Sequence, residues 1–562
     1  MTPETFCEQF ATFAEAPNGV AKLRELILQL AVQGKLGTQD VNDEPVSVQP
    51  HGIEPRKRKS VASAGDDDPS EVWPFEVPPT WRWIRLRDTP VELKYGTSVK
   101  CDYGGNGVPV LRIPNVVAGR IDTEDLKYGD LTDKEQSDLR LEEGNLLLIR
   151  SNGSTGIVGR TAVVDQNAIG FAYAGYLVRL RFSKLTWFPD FLHLAMISPA
   201  TRDQIEGPIR TTSGVKNINS TEIGRLMLPL PPLAEQRRIV GKVDQLLGLC
   251  DELAARQAAR REARERLVGA TLDRLVSARS AAEFPAHAHR LRDHFDRLFD
   301  TPTTLPQLRQ AILQLAVQGQ LVPQDPNDEP AEVLLEKIRL EKSRLMETVK
   351  VKADESLHRK AKVAPPDYHP PGWKWVRFHE VIWCFRGHNP PKCDFVSSPR
   401  AGYVRFIQIT DFKTDSKAVY VPIMKNLKMV HRGEIIMAAY RHIGKVSREM
   451  EGAFNVALCK VNEIAPMDRD FVELLIGTDL VKGELLSESE RGHIPSMHSD
   501  HLLSLWVPVP PLSEQKRIVS KVTELLSLCD ALEAKLTQAE SASTQLLSAA
   551  VHHLLNSPHM VG

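Results

Sequence analysis

No stretch of this sequence stays apolar for anything near the ~18 residues that a membrane span requires. The opening MTPETFCEQF carries Glu4 and Glu8 where a secretion signal needs a basic start followed by an apolar run. Both absences point to a cytoplasmic protein. Paired cysteines are missing too. Cys7, Cys101, Cys250, Cys384, Cys393, Cys459 and Cys529 are odd in number, scattered, and form no Cys-x-x-Cys, which excludes a disulfide framework and a paired-cysteine zinc or redox centre. They read as reduced thiols. No Gly-x-x-x-x-Gly-Lys-Ser/Thr string is available to cradle the phosphates of ATP. An excess of one charge is also lacking: 71 Lys+Arg stand against 72 Asp+Glu, a formal net charge of −1. Whole-chain basicity therefore gives no argument for nucleic acid, and any polyanion site has to be local.

What is present is globular composition, 42% hydrophobic and 25% charged, in 562 residues. That length exceeds a single core and predicts roughly three to four units of ~150 residues. Internal repetition says how they are arranged. LRELILQLAVQGKL from Leu23 returns as LRQAILQLAVQGQL from Leu308, each followed by Asn-Asp-Glu-Pro (Asn42 to Pro45, Asn327 to Pro330). PPTWRWIRL from Pro78 returns as PPGWKWVRF from Pro370. LPLPPLAEQRRIVGKVDQLLGLCDEL from Leu228 returns as VPVPPLSEQKRIVSKVTELLSLCDAL from Val507. The three pairs lie 285, 292 and 279 residues apart, so one half-chain is written twice. Between the second and third landmarks the two copies differ almost everywhere.

Pro231-Pro232 and Pro510-Pro511 precede Glu-Gln steps, and proline at the first turn with an acidic residue near the positive end predicts a helix start. Ile239, Val240, Val243, Leu246, Leu247, Cys250 and Leu253 then recur at helical spacing, matched by Ile518, Val519, Val522, Leu525, Leu526, Cys529 and Leu532. Each helix is expected to run ~40 residues, or ~60 Å. Two narrow seams in a pseudo-symmetric chain suggest an antiparallel coiled coil with Cys250 and Cys529 as small core residues. The helices from Leu23 and Leu308, apolar on nearly every face, should be buried. The inserts contain short apolar runs (Val108 to Ile113, Asn145 to Ile149, Leu177 to Leu180, Val404 to Ile409, Gly433 to Met437) parted by Gly, Asn, Asp and Pro, which predicts strands in α+β domains. His51 to Ser70, with Arg56 to Lys59 and Asp66 to Asp68, has linker composition. The resulting division is 1–75 (N-terminal helix and linker), 76–230 (first insert), 231–278 (first long helix), 279–366 (central repeated helix and linker), 367–509 (second insert) and 510–562 (second long helix).

Asn389-Pro390-Pro391 resembles the start of an amino-methyltransferase motif that holds a flipped base, but Lys392 stands where the stacking aromatic is required. His442, His493, His498 and His501 have no HExxH or paired Cys/His context for a metal. The segment Arg150 to Arg160, RSNGSTGIVGR, is different. Gly, Ser and Asn after an apolar run expose backbone N–H groups between two arginines, an arrangement suited to phosphates or base edges, although a plain hairpin loop has the same composition. The second copy places Tyr440-Arg441-His442-Ile443-Gly444-Lys445 at the equivalent point.

Two copies of Pro-Pro-Leu-x-Glu-Gln-x-Arg-Ile-Val-x-Lys-Val, each closing a variable domain and opening a long helix, resemble the specificity (S) subunit of Type I restriction-modification systems along nearly the whole chain. Gly214 to Asn219 ahead of the first copy is also similar, whereas Arg491 to His498 departs from it. The resemblance implies an α+β fold with two target recognition domains separated by long helices forming an antiparallel coiled coil. It implies a non-catalytic subunit that reads two half-sites of double-stranded DNA across a fixed gap. Two methyltransferase subunits and restriction/motor subunits would be its partners, and those would use S-adenosylmethionine, ATP and Mg, with no cofactor, metal or membrane for this chain. Base readers are expected among loop Arg, Lys, Asn, Gln and His residues, since arginine grips guanine O6/N7 and asparagine or glutamine adenine N6/N7. In the first domain these are Arg112, Asn115, Arg150, Asn152, Ser154, Arg160, Lys216 and Asn217; in the second, Arg405, Gln408, Tyr440, Arg441, His442, Lys445 and His493. A coiled-coil scaffold whose inserts bind protein and a self-sufficient DNA methyltransferase are the competing readings.

Overall fold

The computed structural model describes residues 10–44, 46, 74–105, 107–207, 210–212, 215–278, 283–349, 370–414, 416–489 and 497–556. The linker from His51 to Ser70 lies outside them. The chain forms two compact units, and neither is one contiguous stretch: the first takes Met1–Arg260 with Ala539–Gly562, the second Arg261–Gln538. Helices and sheets are mixed in each, an α+β architecture built twice. The long helices α2 (Leu233–Ser277) and α4 (Leu512–Asn556), each of 45 residues and therefore about 68 Å long, both change unit along their length. Each unit thus holds one reader, one short repeated helix (α1, Gly19–Val32; α3, Leu305–Val317), the start of one long helix and the end of the other.

In the first reader the strands are β1 (Arg82–Arg85), β2 (Val91–Tyr95), β3 (Val108–Leu111), β4 (Lys127–Gly129), β5 (Leu146–Ile149), β6 (Ser151–Asn152), β7 (Thr161–Val163), β8 (Ala172–Tyr173), β9 (Leu177–Phe182), β10 (Arg210–Thr212), β11 (Val215–Asn217) and β12 (Met227–Leu230). β1 pairs antiparallel with β12 and brings the reader's two chain ends together. The body is an antiparallel sheet β2-β9-β5-β7 and a sheet β4-β3-β8 in which β3 and β8 run parallel. The second reader repeats this plan with β13 (Lys374–Arg377), β14 (Ile382–Arg386), β15 (Tyr403–Ile407), β16 (Val419–Pro422), β17 (Met429–Val430), β18 (Ile435–Ala438), β19 (Val446–Ser447), β20 (Gly452–Phe454), β21 (Leu458–Glu463) and β22 (Trp506–Val509). Its sheets are β13-β22, β14-β21-β18-β19 and β16-β15-β20-β17, again with one parallel pair, β15 with β20.

The central strands explain the unbroken apolar runs. Leu146 and Leu148 of β5 join a core with Ile239 and Val243 of α2, whereas Leu147 and Ile149 join a separate core with Val110 and Leu141. Alternate side chains point to opposite faces, and both faces are covered. Ile435 and Met437 against Ile436 and Ala438 do the same in β18.

The repeated landmarks meet in space. Glu235, in the first turn of α2, is fully buried; its carboxylate accepts from the Trp81 indole (2.7 Å), the Gln39 amide (3.0 Å) and the Thr38 hydroxyl (3.1 Å). Gln236 accepts from the backbone N–H of Phe188 (2.7 Å) and donates to the carbonyls of Thr186 and Pro231. Arg238 pairs with Asp43 and donates to the Thr38 carbonyl. The second copy uses Glu514 with the Trp373 indole (3.0 Å), Gln515 with Asp468 N–H (3.1 Å), and Arg517 with Asp328 (2.6 Å). Gly34 and Gly319, at φ +69° and +70°, end the short helices in the left-handed conformation, and a Cβ on either would meet Cγ of Pro78 or Pro370 at 2.5 Å.

One packing expectation is corrected. Cys250 is buried as foreseen, but its cluster is Ala14 and Leu23 with Val20 and Ile27 around it, so the short helix occupies the seam at this level. Arg24 of α1 pairs with Asp251, and Arg309 of α3 with Asp530 and Glu533, which seats the short helix at the same place in both copies. A helix apolar on nearly every face takes the seam because it has nowhere else to bury itself. The six described cysteines are free thiols, and no helix among the described residues is long and apolar enough to cross a membrane.

Glu235→Ala and Glu514→Ala each leave a buried indole N–H, that of Trp81 or Trp373, without its acceptor. Each substitution is expected to cost about 1–3 kcal/mol, read as a lower urea midpoint for the affected unit, while Glu252→Ala on the exposed face leaves the midpoint in place.

Candidate nucleic-acid interface

The loops that follow β5 and β18 stand on the same foot. Gly159 N–H donates to Ile149 (2.7 Å) and Ile149 N–H to Arg160 (2.9 Å); Gly444 N–H donates to Ala438 (3.1 Å) and Ala438 N–H to Lys445 (2.8 Å). Gly159 and Gly444 have φ of +83° and +80°, and a Cβ on Gly159 would lie 2.7 Å from Ile205, so the foot needs glycine. A second tie matches as well: Ile218 N–H donates to Arg150, and Met497 N–H to Ala439, both at 2.9 Å. On this common foot stand loops of different size, residues 150–158 in one reader and 439–443 in the other.

In the first reader β6, inside the loop, pairs with β11, which pairs with β10, placing Lys216 opposite Asn152 and Asn217 opposite Ser151. Arg150, Asn152, Ser154, Arg160, Lys216 and Asn217 are thereby brought together. Arg150 lies over the Tyr95 ring at 4.7 Å, and the Tyr95 hydroxyl accepts from Ser220 N–H. Asn152 Oδ1 accepts from Ser154 N–H (2.9 Å), and Lys216 Nζ donates to the Thr155 hydroxyl (2.7 Å). Arg160 is exposed and donates to the carbonyls of Gly156 (2.8 Å) and Val117 (3.3 Å). No acidic residue interrupts 150–160, so the loop offers cations, amide donors and a hydroxyl without a carboxylate of its own.

Arg112 and Asn115 lie apart from that cluster, in the turn after β3, and here the expectation fails for Asn115. It is 2% exposed; its Oδ1 accepts from Arg112 N–H and its Nδ2 donates to the carbonyls of Asp122 and Asp125, so its amide is spent inside the fold. Arg112 is held by Asp125 at 2.8 Å. The second reader has the same turn after β15: buried Asp411 replaces Asn115, accepts from Gln408 N–H (2.9 Å) and draws Arg405 to 3.5 Å. These residues shape a turn first and face a ligand second. Beside Arg112, Tyr103 is 64% exposed with Lys127 at 4.7 Å from its ring.

Tyr440, Arg441 and His442 share the short loop of the second reader, and Lys445 stands at its foot. Arg441 has φ +62°, a left-handed conformation that costs a non-glycine residue roughly 1 kcal/mol, and its guanidinium lies 6.0 Å from the Tyr440 ring. Arg441, His442 and Lys445 are exposed. His493 lies outside the described residues, as does Gly214 at the matching place in the first reader.

Three participants escaped sequence reasoning: Tyr95, Tyr103 and Arg202. Arg202 reaches from the helix Pro199–Glu206 to the carbonyls of Val158 (2.5 Å) and Thr155 (3.2 Å), with Glu206 at 2.6 Å on its other side. The only signal in the sequence was an Arg and a Glu four apart, which names no target. Under the foot, His193 Nδ1 lies 2.9 Å from the Thr161 hydroxyl, and desolvation pulls its pKa down to about 4.

Residues 370–540 match the family described as Type I restriction modification DNA specificity domain. The chain is 28% identical over 570 residues to the Type I restriction enzyme EcoEI specificity subunit of Escherichia coli, covering 96% of this chain and 94% of the relative. It is 28% identical over 566 residues to the EcoAI specificity subunit of the same species, with coverage of 96% and 94%. A solved chain from work on complex assembly and conformational transition of the type I R-M system is 18% identical, with a TM-score of 0.47, over 86% of this chain and 100% of that one.

Arg202→Ala is expected to speed amide exchange across 151–158 at least tenfold while leaving β5 protected; unchanged exchange would show that the loop holds itself. For His193 the folded pKa of about 4 lies below the ordinary 6.5. Its burial is therefore without cost above pH ~6.5, and stability falls as the pH drops towards 4 because only the unfolded chain takes up the proton. About 2 kcal/mol should be gone by pH 5, seen as a melting temperature that falls in the wild type and falls less in His193→Gln.

Proposed function

We propose that the chain, similar along nearly its whole length to Type I restriction enzyme specificity subunits, is itself such a subunit and reads a bipartite, asymmetric target in double-stranded DNA, one half-site per reader, across a fixed gap that it does not read. The observation that carries this is the common foot with unlike loops. Two readers of one plan present Arg150, Asn152, Ser154, Arg160, Lys216 and Asn217 in one case and Tyr440, Arg441, His442 and Lys445 in the other. Different donor sets on the same frame select different base edges. Gln408 and His493 belong to the second set; Arg112 in the first reader and Arg405 in the second serve their own sets through the turns they brace.

The chain is non-catalytic on this reading. Two methyltransferase subunits dock on the repeated helices, restriction/motor subunits join them, and S-adenosylmethionine, ATP and Mg belong to those partners. The loops supply hydrogen bonds and charge to bases and phosphates, which positions the duplex and needs no nucleophile or general base in this chain.

Exchanging residues 76–227 for the matching segment of a relative should change one half-site and leave the other half-site and the gap as they were. Modification mapping across a host genome reads this directly, and a change in both halves would sink the modular reading. Lengthening a long helix should alter the gap instead. Arg150→Ala and Arg441→Ala should each weaken specific binding by about 1–3 kcal/mol in fluorescence anisotropy against the cognate duplex, each relaxing its own half-site. Methyl transfer by the purified chain alone would refute the non-catalytic assignment.

A further inference from the structure

The last third of α2 and the helices Glu283–Asp293 and Phe295–Leu298 enclose a cleft of about 470 Å³ in the second unit. Its floor is apolar, with Leu298 buried and Leu267 left 58% exposed. Around the floor stand Arg264, Arg274, Arg290 and Arg297, with His287 and His294 among them. Arg264 is paired with Asp300 at 2.8 Å; among the described residues Arg274, Arg290 and Arg297 have no carboxylate within ion-pair distance. None of these residues belongs to either reading loop.

The repeat shows that the scaffold does not require this charge. At the offset that superimposes α2 on α4, Leu267 corresponds to Leu546, likewise exposed (61%), but Arg264 corresponds to Ser543 and Arg274 to His553. At the offset that superimposes α1 on α3, Arg297 corresponds to Thr12. The apolar knob is kept in both copies, and the cationic rim is built in only one. A partner that the rim selects would bind once per chain.

An exposed leucine ringed by unpaired guanidiniums has the anatomy of a protein interface, an apolar anchor with a charged rim, whereas a phosphate backbone has no use for the floor. Leu267, Thr271 and Arg274 follow one another at i, i+4 and i+7, a stripe about 10 Å long that suits the face of a partner helix with the same spacing. We propose that this cleft binds an acidic amphipathic helix of a partner subunit, once per chain, its apolar residues on Leu267 and its carboxylates on Arg274, Arg290 and Arg297, and that this contact makes the two ends of the repeated scaffold inequivalent. The proposal rests on the reading of the chain as a subunit of a larger assembly.

The test uses the full chain, co-expressed with the methyltransferase and motor subunits, with benzoylphenylalanine in place of Leu267 as a photo-crosslinker. The expected product is one adduct per chain, to a segment with carboxylates flanking apolar residues. Its yield should fall at least tenfold in Arg290→Glu/Arg297→Glu and be retained in Arg290→Lys/Arg297→Lys, with unchanged melting temperatures. An adduct to DNA or to a neutral or basic segment, or a yield indifferent to charge reversal, overturns the proposal. Intact assembly without any adduct at 267 overturns the cleft alone. A chain that assembles with no subunit overturns the functional reading, and the cleft's partner with it.

Discussion

A carboxylate buried at the start of a long helix is the constraint on which each unit depends. Burying Glu235 is costly unless every lone pair finds a donor, and the donors come from segments far apart in the chain: Thr38 and Gln39 after the short helix, Trp81 just before the strand that opens the reader. Burial still raises the pKa of Glu235 and of Glu514, so the hydrogen bonds offset the desolvation only in part. The helix N-terminus adds its own attraction for negative charge. Gln236 then clamps the reader's helix Pro189–Ile197 through Phe188, and Arg238 ties Asp43. Removing the carboxylate would loosen the strand and the linker from the helix and leave Gln236 and Arg238 as the remaining ties, so Glu, Gln and Arg act together, and their fixed spacing recurs in both copies.

With the frame held from below, the loops above it are free to differ. The shared foot needs only a glycine in the left-handed region and three backbone hydrogen bonds, and none of those specifies what stands between them. The longer loop has to be propped, and Arg202 does so by giving a rigid fork to two carbonyls. The second reader has Lys482 at the matching place, packed 3.2 Å from where a Cβ of Gly444 would be. The shorter loop is closed by its own backbone, His442 N–H donating to Tyr440 (2.7 Å) and Lys445 N–H to His442 (3.1 Å).

The architecture was legible where one residue type has one physical use. Proline before Glu-Gln marks a helix start, and β5 and β18 read as strands because a short run apolar at every position suits a strand covered on both faces. The site was less legible, because the groups that read bases also cap turns. Asn115 offers the donor and acceptor that adenine would want and spends both on Asp122, Asp125 and Arg112. Arg405 and Arg112 are each drawn to a nearby acid that lies outside any motif. The partner of Cys250 was hidden for a related reason: a helical seam shows that something covers it, and the spacing is the same whether the cover is the other long helix or the short one.

Those spent arginines bear on how a chain with a net charge of −1 handles a polyanion. Of the basic residues expected at the two interfaces, Arg112 and Arg405 have carboxylate partners, while Arg160 and Lys216 are held by oxygens of their own loop. On the proposed reading few cations are left to release counterions from the duplex, so little of the affinity can come from phosphates. Pre-paired donors have a compensating use. A guanidinium already fixed by its neighbours loses little freedom when a base edge replaces water, and it discriminates between bases by geometry more than by attraction. On the proposed reading selectivity resides in the loops, and much of the holding of the duplex would fall to partner subunits.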